Sequence, residues 1–147
     1  MIKEELIKFE TAKLAKEKGF NEVTVFAYTK KEEIAASFPT ESYLGTLSRE
    51  DFESYGWINN NLPWEDPTIH DTTYLFSAPT QSLLQKWIRE VLKYDIDIRC
   101  NCTSKGQYFV TVFGRKTKFP TLYLGNTYYK TYEEALEVGL QEALKLI

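Results

Sequence analysis

One histidine and two cysteines are the only imidazole and thiol groups in this chain of 147 residues. A structural zinc site takes four ligands. His70, Cys100 and Cys102 would need carboxylates or a second chain to complete one. The two cysteines are next-but-one neighbours in a predicted strand, so they share a face. Neighbours that close do not meet disulfide geometry. They read as small buried hydrophobes, suited to a reducing cytoplasm. The seven glycines are scattered, which excludes a glycine-rich phosphate loop. No serine lies in a nucleophile-elbow pattern. No apolar run approaches the roughly 20 residues that span a bilayer. Met1-Ile2-Lys3-Glu4-Glu5 lacks the apolar stretch of a signal peptide. The expectation is a cytoplasmic, non-membrane protein without cofactor or metal, and not an enzyme.

Aromatic residues are plentiful by contrast. They make up 15% of the chain, which excludes disorder on composition. Surplus Tyr and Trp also suit interfaces, where they give large contact area at low entropic cost. The net charge of −3 argues against bulk attraction to nucleic acid or membrane. Charge is uneven: residues 1–79 carry 8 Lys+Arg against 14 Asp+Glu, and residues 80–147 carry 10 against 7.

Patterning predicts an α+β chain forming one domain over 1–147. A first helix is predicted over 3–18, with Ile2, Leu6, Phe9 and Ala12 on its apolar side and Gly19 at its left-handed end. A strand follows over 22–29, completing an N-terminal helix-and-strand segment, 1–35. That segment is expected at the edge of the main sheet or as a small second layer. Residues 36–76 read as an irregular, aromatic-rich arm with one short helix at 49–55, capped by Ser48. Residues 77–147 read as the core unit, helix-strand-strand-strand-helix, an antiparallel sheet with helices on one face. Its first helix has Leu83, Leu84, Trp87, Ile88, Val91 and Leu92 at helical spacing, capped by Thr80 or Ser77. Asp95–Thr103 and Tyr108–Phe113 form a hairpin, and 122–129 supplies a third strand. Thr131-Tyr132-Glu133-Glu134 is a capping box, and Leu136, Leu140, Ala143, Leu144 and Ile147 make the last helix's apolar face.

Three segments resemble an uncharacterised family of small phage and prophage proteins from gut bacteria. They run from Phe9 to Phe20 (FETAKLAKEKGF), Ser77 to Glu90 (SAPTQSLLQKWIRE) and Thr131 to Lys145 (TYEEALEVGLQEALK). The resemblance implies a phage-encoded protein of the bacterial cytoplasm and carries no known activity. The order of elements in the C-terminal half also resembles the double-stranded-RNA-binding domain, which reads RNA by shape and phosphate contacts. That family opens its last helix with lysines, where this chain has Glu133 and Glu134. Two carboxylates there would repel phosphate.

Three site constellations remain. Trp57 and Trp64, in the arm, could receive a protein partner or a second copy of the chain. Arg115, Lys116 and Lys118, beside Phe113, Phe119 and Tyr123, could meet phosphate in a nucleic acid or nucleotide, including a sequestered nucleotide signal. Glu65, Asp66, His70 and Asp71 could serve an uncharacterised enzyme. The leading expectation is a non-enzymatic phage accessory protein that binds a protein partner. Nucleotide or nucleic-acid binding and catalysis are the alternatives.

Overall fold

A computed structural model describes residues 4–29, 31–36, 74–101, 107–114, 121–124 and 127–147. The chain is α+β, as its patterning predicts, and divides into two compact units. One is Lys8–Pro79. The other joins Met1–Ile7 to Thr80–Ile147.

In the Lys8–Pro79 unit, helix α1 covers Phe9–Glu17. The helix predicted from residue 3 starts six residues late. Residues 4–7 are outside it, and Leu6 forms a β-bridge with Thr80 instead, so tertiary pairing overrides good helix formers. The end of α1 is the predicted one. Gly19 takes φ +86°, its N–H bonds Lys16 O, and Phe20 N–H bonds Ala15 O at 2.9 Å. This double bond pattern satisfies the last carbonyls and folds Phe20 into the core.

Strand β1 is Phe26–Thr29, shorter than predicted, and β2 is Ile34–Ala36. Glu32, at φ 61°, turns the chain between them. Strand β3 is Tyr74–Ser77. The sheet order is β2-β1-β3, antiparallel throughout, so β1 is the centre of its own sheet. Both ends of the segment expected to be irregular, Ala36 and Tyr74–Phe76, are therefore strand. The helix predicted at 49–55 lies outside the described residues. Phe9 packs edge-on against Tyr28 and Phe76, each with ring centroids 5.4 Å apart.

In the second unit, helix α2 runs Gln81–Trp87 and continues as a π-helical turn over Ile88–Leu92. Of the two candidate caps, Thr80 is the one used: its Oγ1 accepts the Leu83 N–H at 3.3 Å. Leu84, Trp87 and Ile88 are buried as expected, but Val91 is 55% exposed. The π turn explains this correction, because its extra residue per turn rotates Val91 off the apolar stripe.

Strands β4 (Tyr94–Cys100), β5 (Tyr108–Gly114) and β6 (Leu122–Tyr123) form an antiparallel sheet in the order β4-β5-β6. Helix α3, Tyr132–Lys145, packs on one face of it. Thr131 caps α3 as predicted, and Glu134 reaches back one residue further than the N-cap, so the capping box forms as a variant. Thr131 Oγ1 accepts the Glu134 N–H at 3.1 Å, and Glu134 Oε2 accepts the Lys130 N–H at 3.0 Å. Leu136, Leu140, Ala143 and Leu144 are buried, whereas Ile147, beyond the helix end, is exposed. Gly139 allows α3 its close approach. A Cβ built there would lie 2.6 Å from Ile96 Cγ2 and 2.7 Å from Val110 Cγ2.

Cys100 corrects another expectation. It is exposed, not buried. Burial along β4 fades from Ile96 through Ile98 to Cys100, because α3 covers the level of Ile96 and Val110 and not the strand's end. Cys102 lies outside the described residues.

Candidate functional site

Three pieces of the C-terminal unit converge on one open pocket. Extended residues Glu4 and Glu5 run beside the start of α2, where the Gln81 N–H bonds Glu5 O at 2.9 Å. The first turn of α3 supplies the far wall. The pocket holds about 190 Å³ and is lined by Glu4, Glu5, Gln81, Ser82, Tyr132, Glu133 and Leu136. That is below the roughly 300–1,000 Å³ of small-molecule pockets. It suits a single side-chain head group.

Beneath it lies a buried polar pair. Gln81 is 7% exposed and Glu137 only 2%. Gln81 Nε2 donates to Glu137 Oε2 at 2.9 Å and to the Glu133 carbonyl oxygen at 3.1 Å. Both partners are acceptors, so the amide's orientation follows from its bonding: nitrogen towards α3, oxygen away. Hydroxyl protons nearby are also assigned. Leu83 N–H donates to Thr80 Oγ1, and Ser82 Oγ donates to Glu4 Oε1 at 3.0 Å. Thr80 must then be the donor in its 3.0 Å contact with Ser82. Tyr132 stands at the rim, 42% exposed, with its ring edge-on to Tyr108 at 6.3 Å and 90°.

Among the described residues of this unit, the ionisable group that is clearly shifted is Tyr129. Burial, and secondarily the negative charge of Glu142, push the Tyr129 phenol above its ordinary 10.0. A raised folded value means that the folded chain holds this proton more tightly than the unfolded chain does. The stabilisation is complete below about pH 10 and is lost as pH rises through the folded value. Urea denaturation above pH 10 should show a steeper loss of stability in the wild type than in Tyr129→Phe. Equal slopes would contradict this assignment.

Trp57, Trp64, Glu65, Asp66, His70, Asp71, Arg115, Lys116 and Lys118 all lie outside the described residues. Glu133 and Glu134 occupy the exposed first turn of α3. Sequence reasoning missed Gln81 and Glu137. For Glu137 a signal existed: it lies three and seven residues before Leu140 and Leu144, a charged group inside an apolar stripe. Gln81, the first residue of a helix, gives none.

Among the described residues no cluster of His, Cys, Asp and Glu could hold a metal ion. Nor is any described helix long and apolar enough to cross a membrane. Comparison with protein-family models, with curated proteins and with solved structures finds no match.

Proposed function

We propose that this chain is a non-enzymatic, phage-encoded accessory protein of the bacterial cytoplasm that binds a protein partner, with the pocket at the start of α2 and α3 as a recognition site. The observation that carries the reading is the pocket's lining. Glu4, Glu5, Glu133, the buried Gln81 and the exposed Tyr132 line a space the size of one side-chain head group. Exposed tyrosine beside fixed polar groups is the usual composition of a protein-binding anchor point. The phage origin is supported by the three resembling segments. Acidic residues at the first turn of α3 favour this reading over phosphate binding.

The test is comparative capture. Tagged wild-type chain and the triple substitution Glu4→Gln/Glu5→Gln/Glu133→Gln should be cross-linked in the same host cells during phage growth. A partner retained by the wild type should be lost from the triple variant. Equal capture of every partner would sink the pocket as the recognition site, and Trp57→Ala/Trp64→Ala would then test the arm.

A further inference from the structure

We propose that the chain pairs with a second copy of itself, edge to edge through β4, in an antiparallel arrangement centred on Ile98. Strand β4 ends its sheet, with β5 on one side and no described strand on the other. Natural sheet edges are blunted by shortness, proline or a bulge. The other edge strands, β2, β3 and β6, are three, four and two residues long. Strand β4 has seven residues, no proline, and an unbroken register with β5 from Tyr94 to Cys100.

The hydrogen-bond phase fixes which groups face outwards. The Asn101 N–H bonds the Gln107 carbonyl at 2.8 Å, next in register to the Cys100–Tyr108 pair. Bonded and non-bonded pairs alternate along an antiparallel ladder. Asp95, Asp97 and Arg99 therefore bond to β5, whereas Ile96, Ile98 and Cys100 turn their N–H and C=O groups away from it. The Ile96 carbonyl follows this phase, because it accepts Nε2 of Gln85, a side chain of α2, at 3.2 Å. Ile98 is the next outward residue. Its N–H and C=O meet no partner among the described residues.

Unpaired backbone groups are a template for another strand, and the flanking charges select which. Asp97 and Arg99 sit either side of Ile98 on one face of the strand. Arg99 Nε donates to Asp97 Oδ2 at 2.7 Å, and the two side chains are 62% and 39% exposed. That bond uses one of five guanidinium N–H groups. A two-fold axis through Ile98 sets Asp97 opposite Arg99 of the second copy, and Arg99 opposite its Asp97. The strand is thus complementary to itself, and four alternating charges form one network. The two Ile98 residues exchange both N–H···O=C bonds, and their side chains meet on the face that α3 covers at Ile96. A slip of the axis to Asp97 would oppose two aspartates, and a slip to Arg99 two arginines. Like charges directly opposite are destabilising, so the register centred on Ile98 is selected.

The experiment is sedimentation equilibrium of the full chain over a wide concentration range. Wild type should show a monomer–dimer equilibrium. Asp97→Arg and Arg99→Asp each place like charges at both symmetric contacts, and each should weaken the dimer about tenfold or more. The double swap, Asp97→Arg with Arg99→Asp, restores opposite charges and should restore the dimer. The two single variants, mixed, should form a heterodimer, because each then supplies the charge that the other lacks. Circular dichroism melting checks that each variant folds. Hydrogen exchange of the Ile98 amide in the wild type gives a readout that needs no variant: it should slow as the dimer forms.

A wild-type chain that is monomeric at every concentration would overturn the proposal. So would a dimer that forms without slowing the Ile98 amide, one indifferent to the single substitutions, or a double swap as weak as the single variants.

Discussion

Gly139→Val should cost the C-terminal unit about 3 kcal/mol or more, enough to lower its melting temperature by roughly 10 °C. The cause is the closeness of α3 to its sheet. A Cβ at position 139 would meet Ile96 Cγ2 at 2.6 Å and Val110 Cγ2 at 2.7 Å. Neither methyl is the loose end of a flexible chain. Both belong to β-branched residues with restricted χ1 rotamers in a buried sheet face. Relief must come from moving the helix or the strands. Gly139→Ala is the informative companion. It adds the same clash, about 1–3 kcal/mol of overpacking, but recovers about 1 kcal/mol because alanine is the better helix former. Its net cost should therefore be small, about 0–2 kcal/mol. Valine adds two further methyls and recovers less. Removing the obstacle should relieve it: Gly139→Ala with Val110→Ala should be less destabilised than the sum of the two, because the sites share one space. Urea denaturation of the wild type and the four variants gives the comparison. A Gly139→Val protein as stable as wild type would mean that α3 does not press on Ile96 and Val110.

Why the fold was partly legible in the sequence follows from which residues act locally. The capping box at Thr131, the left-handed Gly19 and the β4–β5 hairpin all depend on neighbours a few positions apart, and they form where the pattern places them. The misses depend on distant partners. Residues 4–7 have helical composition but are held extended against Thr80 and Gln81. Val91 has the spacing of a buried residue until a π turn shifts it. Strands β2 and β3 are three and four residues long, and their pairing with β1 is what defines them.

The pocket was less legible than the fold. It is assembled from residues as distant in sequence as Glu4 and Leu136, and the Ser82–Glu4 bond alone joins residues 78 positions apart. Its polar floor joins the first residue of one helix to a glutamate in the middle of another, 56 positions away. Motif spacing cannot encode such a pair. Only Glu137, out of place among leucines, hinted at a polar core contact.

That contact should show itself in a second large effect. Gln81→Leu should destabilise the unit by about 1.5–3 kcal/mol, the range for losing hydrogen bonds to a charged group. The substitution removes the donor to Glu137 Oε2 and the donor to the Glu133 carbonyl together, in a site where both side chains are more than nine-tenths buried. Leucine fills similar volume, so a cavity contributes little. Adding Glu137→Leu should restore much of the loss, because replacing both partners of a buried polar pair with apolar groups approaches neutrality, whereas removing one does not. The expected order of stability is wild type close to the double variant, with Gln81→Leu well below both. A Gln81→Leu chain as stable as wild type would show that the pair contributes nothing to stability.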